Sequence, residues 1–261
     1  MFFRLVIKIT YIKCGIYFVF LWILWIYYVS IGKGGYNKSI SGDNKTPIGV
    51  YKITSHLIDE DLPELYGNGA YPINYPNSWD IRNNKTGYGI WIHGVPRDVY
   101  SRPPLTSEGC VVTSNRTLQK LKKYTEIGKT PVLLVENVNW IKRNKWHQNK
   151  EEANNFIKEW EKSWESLDPH SFIAQHSINF NSKTHDFEKR VAHILRIIGN
   201  KTFIKINIKN LNLFFYPEQR NLIYADFRQF YESNNFKTAT NKKLFWKKEK
   251  DGKWRIIYED T

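Results

Sequence analysis

From Cys14 to Ile31 the chain runs eighteen residues without a charge (CGIYFVFLWILWIYYVSI), and Arg4, Lys8 and Lys13 precede the run. That length is enough to cross a bilayer core, with the positive charges left on the cytoplasmic side. No small-x-small cleavage site follows it, so residues 1–31 are expected to form an uncleaved membrane anchor. The other reading is a pair of buried strands, because Val, Ile, Tyr, Phe and Trp dominate the run and all favour strands. The segment Val29-Ser30-Ile31-Gly32-Lys33 resembles a strand end in the next domain and leaves no linker after a membrane helix, which speaks for strands.

Beyond the run the pattern shortens. Thr46-Pro47-Ile48-Gly49-Val50-Tyr51-Lys52-Ile53 predicts a loop and a short strand. Residues 59–88, punctuated by Pro63, Gly67, Gly69, Pro72, Pro76 and Gly87, predict irregular surface of the kind that carries binding sites. Gly89 to His93 is a compact apolar strand, and residues 94–109 are a Pro-containing loop. Asn115 to Tyr124 predicts a short helix with Asn115 as its cap and Leu118 and Leu121 on one face. Thr130 to Val135 reads as a buried strand. A polar, basic stretch over 138–150 is expected to be a linker. After it, Ala153, Phe156, Ile157, Trp160, Trp164 and Leu167 recur at helical spacing, and Asp168-Pro169 stops the helix. Phe187, Val191, Ile194 and Leu195 suggest a second helix. Alternating runs follow over 203–216, 222–231, 243–248 and 254–258, the last two joined by the hairpin signal Asp251-Gly252. Helices followed by an antiparallel meander predict an α+β unit with a curved sheet.

Composition adds a bias in partners. The 261 residues hold 39 Lys and Arg against 25 Asp and Glu, a formal charge of +14. Such a balance favours nucleic acid, anionic lipid head groups or an acidic cell-wall polymer, without choosing among them. No P-loop, zinc-type Cys/His spacing or RNA-reading aromatic signature occurs, so neither a metal, a cofactor nor a nucleic-acid partner is expected.

The chemistry that stands out is a thiol and an imidazole. There are two cysteines, and Cys14 lies in the apolar run. Cys110 follows Ser107-Glu108-Gly109, and His93 ends the apolar strand seventeen residues earlier. A thiol is nucleophilic as a thiolate, and an adjacent imidazole is the usual means of making one. The remaining histidines (His56, His147, His170, His176, His185 and His193) are scattered and are assigned no ligand role.

Three blocks together carry a resemblance: Thr46-Pro47-x-Gly49, Ile90-Trp91-Ile92-His93-Gly94 and Ser107-x-Gly109-Cys110-Val111. Over roughly residues 29–137 their order and spacing resemble the L,D-transpeptidase (YkuD-like) catalytic domain. Tyr71-Pro72-Ile73-Asn74-Tyr75-Pro76-Asn77 and the loop from Pro96 to Pro104 look like the cell-shape-determining L,D-carboxypeptidase branch. In that branch a nuclear-transport-factor-2-like domain follows, matching the helix-then-meander pattern of 151–261. The resemblance implies a β-rich catalytic domain acting on peptidoglycan stem peptides in the periplasm or cell envelope, anchored in the inner membrane if the N-terminal segment spans it. It implies Cys110 as nucleophile, His93 as general base, the Gly109 and Cys110 N–H groups as oxyanion donors, and Gly94 as the backbone group orienting the His. Ser107 matches the signature Ser/Thr and is expected at the substrate, with Arg97, Tyr100 and Arg102 of the flanking loop as carboxylate-binding groups.

Glu108 and Val112 depart from the family pattern, which often has His and Arg there, and weigh against cross-linking more than against thiol chemistry. The family domain also opens with strands before the segment matching Val29 to Lys33. Either the anchor replaces them, or residues within 4–13 and 16–28 supply them. An impaired, cell-wall-binding scaffold with an incomplete catalytic domain is the alternative function.

Overall fold

The computed structural model describes residues 5–8, 15–20, 23–58, 60 and 62–261. The chain divides into two compact units, Met1–Asn139 and Trp140–Thr261. In chain order the first holds β1 (Leu5–Lys8), β2 (Gly15–Phe20), β3 (Ile23–Tyr28), β4 (Ile31–Gly32), β5 (Gly49–Lys52), β6 (Ala70–Pro72), α1 (Ser78–Arg82), β7 (Trp91–His93), β8 (Leu105–Ser107), β9 (Val111–Val112), α2 (Asn115–Lys122) and β10 (Pro131–Val135).

The apolar run does not form a membrane helix. Over its described residues it is two antiparallel strands, β2 and β3, paired from Gly15↔Tyr28 to Phe20↔Ile23. β1 joins β2 on one side and runs parallel to β10 on the other, and β5 completes the five-stranded sheet in the order β3-β2-β1-β10-β5. The physical reason lies in the side chains and in the neighbours. β-branched and aromatic residues pack well on a pleated surface, and flanking strands supply the backbone partners that a bilayer cannot. β1, β2 and β3 thus stand as the opening strands. No helix among the described residues is long and apolar enough to cross a membrane. Cys14 lies outside the described residues.

A second small sheet, β6-β7-β9, and the pair β4-β8 pack around the same core. Tyr51 and Ile53, and Val132 and Leu134, are fully buried in it. Val29, Ile31, Ile92, Val111, Leu118 and Leu121 complete that core. The segment expected to be irregular holds an ordered helix start. The Asn77 side chain accepts from the Asp80 N–H while Asp80 accepts from the Asn77 N–H, a reciprocal cap on α1. α2 is capped by Ser114, whose hydroxyl accepts from the Thr117 N–H, and not by Asn115.

The second unit holds α3 (Arg143–Glu165), α4 (Pro169–Ile173), β11 (His176–Ser182), α5 (Phe187–Ile198), β12 (Ile204–Tyr216), β13 (Gln219–Ser233), β14 (Lys237–Lys248) and β15 (Trp254–Asp260). The expected linker over 138–150 is largely helix, since α3 begins at Arg143. Its polar first turns offer no apolar period from which to read it. Ala153, Ile157, Trp160 and Trp164 form the buried stripe of α3, packed over a sheet ordered β11-β15-β14-β13-β12. Asp168 accepts from the His170 and Ser171 N–H groups, so the Asp-Pro pair that ends α3 also starts α4. At the β14–β15 hairpin Gly252 takes φ 79°, which the Asp-Gly signal anticipates.

Because β1 is the parallel partner of β10, a chain starting at Tyr27 should lose the cooperative unfolding of the first unit and aggregate through the bared β10 edge. Thermal melting with size-exclusion chromatography checks this. A melt equal to that of the full chain would show that the opening strands carry no stability.

Candidate active site

His93 and Cys110 meet through strand register. β7 and β9 run parallel with Ile92↔Val111 and His93↔Val112 as partners. Continued one step, that register sets Cys110 level with Trp91. His93 and Cys110 therefore share one face of neighbouring strands, two residues apart, which places their α-carbons about 8 Å apart for ordinary strand spacing and rise.

His93 is buried, at 3% exposure. Its Nδ1 lies 2.7 Å from the Gly94 carbonyl oxygen. A carbonyl only accepts, so Nδ1 carries the proton and Nε2 keeps its lone pair. Tyr66 sets its ring edge-on to His93 with centroids 4.9 Å apart, and packs tilted on Trp91 at 4.9 Å. Burial pulls the imidazole pKa down to about 4; the Gly94 hydrogen bond opposes this and the Arg102 charge adds to it. Cys110 is half-buried, and its thiol donates to the Gly89 carbonyl oxygen at 3.4 Å. Burial raises the thiol above its ordinary 9.0; the Trp91 N–H and Arg102 favour the thiolate, and Glu108 opposes it. The resting pair is thus thiol and neutral imidazole rather than an ion pair.

The turn before Cys110 is held by hydroxyls. Ser107 Oγ donates to the Cys110 carbonyl at 2.6 Å and accepts from the Gly109 N–H at 3.2 Å. Ser107 is therefore turned inward onto the backbone and not toward substrate. The Gly109 N–H, expected as an oxyanion donor, already donates to Ser107 Oγ. The Cys110 N–H makes no hydrogen bond among the described residues and is the donor left for that task. Gly109 has φ +126°, and a Cβ there would stand 2.8 Å from the Lys45 carbonyl oxygen, so glycine is required. Thr46 ties the turn to the preceding loop: its Oγ1 donates to the Gly109 carbonyl at 2.9 Å and accepts from the Gly32 N–H at 3.0 Å.

Residues 20–134 match the L,D-transpeptidase catalytic domain family. Residues 152–260 match the Cds6 C-terminal NTF2-like domain. The chain carries an L,D-transpeptidase catalytic domain followed by an NTF2-like domain. A solved structure of Bdellovibrio bacteriovorus Bd1075 is similar over both, with 26% identity, a TM-score of 0.81 and coverage of 99% of this chain and 91% of that one. The helical cell shape determining protein Pgp2 from Campylobacter jejuni shares the fold at 24% identity and a TM-score of 0.77, covering 99% of this chain and 92% of that one. No curated protein matches significantly.

Within the L,D-transpeptidase domain two residues missed by sequence reasoning hold the site. Thr46 is one; its block was visible, but its partner lies 63 positions away. Asn115 is the other. Its Oδ1 accepts from the Asn68 N–H at 3.0 Å, its Nδ2 donates to the Val95 carbonyl at 2.8 Å, and a Cβ on Gly94 would stand 2.1 Å from that Oδ1. Gly94 therefore has no side chain because Asn115 fills the space, and its carbonyl is left facing His93. Of the three loop residues, Arg102 alone bears electrostatically on both His93 and Cys110, and its Nη2 donates to the Leu65 carbonyl at 3.3 Å. Arg97 is exposed, and Tyr100 is 82% exposed. Glu108 is also exposed and pairs with Lys33 at 3.5 Å. Among the described residues no cluster of His, Cys, Asp or Glu could hold a metal.

The NTF2-like domain has an open pocket of about 560 Å³ whose wall includes Trp160, Trp164, Gln229, Tyr231 and Lys242. Trp160 and Trp164 are thus both core residues and pocket wall.

Alkylation of Cys110 by iodoacetamide should accelerate with each pH unit through pH 9 and show no plateau between pH 5 and 8, because the imidazole stays neutral above about 4 and the thiol stays protonated below 9.0. A neutral-pH plateau would mean a preformed ion pair. Thr46→Val should cost about 1–3 kcal/mol in urea unfolding, since it strips the buried Gly109 carbonyl and Gly32 N–H of their partner.

Proposed function

We propose that this protein processes peptidoglycan stem peptides through Cys110, acting in the cell envelope as an L,D-carboxypeptidase that trims tetrapeptides to tripeptides, with L,D-transpeptidation as the second outcome of the same intermediate. One observation carries the reading: His93 and Cys110 share a strand face, and the Gly94 carbonyl holds the proton on Nδ1 so that Nε2 is free to accept.

His93 Nε2 takes the thiol proton as Cys110 Sγ attacks the carbonyl carbon preceding the terminal D-alanine. The Cys110 N–H receives the developing oxyanion, an interaction worth about 3 kcal/mol in comparable sites. The C–N bond then breaks, His93 returns its proton to the leaving amine, and D-alanine departs from an acyl-thioester. Water attacks next with His93 again as base, giving the tripeptide carboxylate and the free thiol; an amine in place of water gives a cross-link. Exposed Glu108 and apolar, buried Val112 offer no second imidazole or guanidinium beside the nucleophile, which favours trimming. Arg102 is the group whose charge reaches the pair, and it is assigned to a substrate carboxylate; Arg97 and Tyr100 are left to the outer loop. The likeness to Pgp2, a helical cell shape determining protein, supports a place for this chemistry in cell-wall remodelling. The scaffold alternative rests on absent opening strands, and the presence of β1 to β3 speaks against it.

Incubation with disaccharide-tetrapeptide muropeptides and mass analysis of the products tests the proposal. Release of D-alanine should fall at least about a thousandfold in Cys110→Ala and about a hundredfold or more in His93→Gln. Unchanged release in Cys110→Ala would sink the assignment. Arg102→Ala should raise KM about tenfold or more with a smaller change in kcat, as loss of a charge-assisted contact does.

A further inference from the structure

The second unit opens with exposed aromatic side chains. Trp140 is 66% exposed, Ile141 49% and Trp146 44%. The same unit buries Trp160, Trp164 and Trp246, so indoles are not left outside for want of a core. From Asn139 to Lys150 stand Lys142, Arg143, Lys145 and Lys150, and no acidic residue. None of the four makes an ion pair with a described residue. Lys142 is the N-cap of α3, which sets Ile141 and Trp146 at the two positions that commonly close over a helix start; here both stay open to solvent. Lys150 Nζ lies 5.2 Å from the Trp146 ring centroid, so cation and indole share one face, a turn apart.

We propose that Trp140, Ile141 and Trp146, ringed by Lys142, Arg143, Lys145 and Lys150, form a docking surface for a bilayer rich in anionic phospholipid. Indoles settle at the level of lipid head groups, and Lys and Arg stems reach from there to phosphate. Each cation near an anionic leaflet raises partitioning about fivefold. A single-stranded nucleic acid or an acidic polymer would use the cations and the indole faces, but it offers nothing to Ile141, which has no face on which a base could stack. An acyl boundary accommodates all three apolar side chains at once. The surface lies flat on a membrane rather than spanning it, and it is independent of the thiol chemistry.

Co-sedimentation of the full chain with phosphatidylglycerol–phosphatidylcholine vesicles, beside pure phosphatidylcholine vesicles, tests it. The chain should pellet with the anionic vesicles alone and be released by high salt. Trp140→Ala with Trp146→Ala should weaken binding about tenfold or more, and Lys142→Glu with Lys145→Glu by a similar factor, with D-alanine release and thermal melting unchanged in both. Failure to bind anionic vesicles overturns the proposal, and so does full binding by the double Trp variant, which would be charge adsorption only. If that variant does not fold, quenching of the intact chain's tryptophan fluorescence by brominated phosphatidylglycerol decides, its absence counting against the surface.

Discussion

A parallel strand pair of only two partnered positions fixes where His93 and Cys110 stand. Side chains alternate along a strand, so slipping β9 by one residue against β7 would turn Cys110 to the opposite face from His93. The register is therefore pinned from both sides. The Thr113 N–H donates to the His93 carbonyl at 2.9 Å, while Ser30 and Val112 exchange two backbone hydrogen bonds of 2.8 Å. Ser30 follows directly on β3 and the apolar core residue Val29. The N-terminal strands and the thiol turn are thus parts of one construction: what orders Val29 and Ser30 also orders Val112, and through it Cys110.

Burial sets the protonation states, and here it works against a preformed charge. Water is excluded on the His93 side, Tyr66 covers the ring, and the imidazolium loses more than the imidazole does. The loop that carries Thr46 shows the opposite solution. Lys38 is buried too, but it meets Asp43 at 2.7 Å. Against the cost of burial, Lys38 and the Ser39, Lys45 and Ile40 N–H groups hold Asp43 at about 2. The loop that carries Thr46 is tied by an ion pair, whereas burial holds His93 neutral. In the proposed mechanism charge would then develop only at the reaction step, beside the Cys110 N–H.

The catalytic blocks were readable because each is a run of local constraints. Gly109 needs positive φ, Gly94 has no room for a Cβ, and His93 closes an apolar strand. What could not be read was what lies across the fold. The Thr46 hydroxyl has its partner in a distant turn, and Asn115 looked like a helix cap because Asn is a good one, yet Ser114 took the cap and freed Asn115 to bind two loops. Ser107 and Gly109 were assigned outward roles that the turn's own hydrogen bonding consumes. The apolar run misled for a different reason: length and lack of charge are shared by membrane helices and by hairpins inside a sheet, and only the neighbours β1 and β10 distinguish them. β11 was missed because, as an edge strand with a register shift between His176 and Asn181, it has no clean alternation to show.

One device appears in both units: a buried histidine whose Nδ1 faces a backbone carbonyl. His176 Nδ1 lies 3.0 Å from the Phe172 carbonyl, as His93 Nδ1 lies 2.7 Å from that of Gly94, so both rings keep the proton on Nδ1. Burial pulls both down to about 4. In each case the unfolded chain takes up a proton near 6.5 and the folded chain resists until about 4, so both histidines withdraw stability as pH falls through that window. The difference is at Nε2. Arg190 donates to His176 Nε2 at 3.5 Å while its guanidinium also pairs with Glu259 at 2.8 Å. Lys242 joins the same carboxylate, and despite its burial the two cations hold Glu259 far below the usual carboxylate range. That imidazole is spent on a closed network. No hydrogen bond from a described residue reaches His93 Nε2. The same element, a buried His steered by a backbone carbonyl, has its second nitrogen filled at His176 and left open by the described residues at His93, which is what the proposed role as base requires.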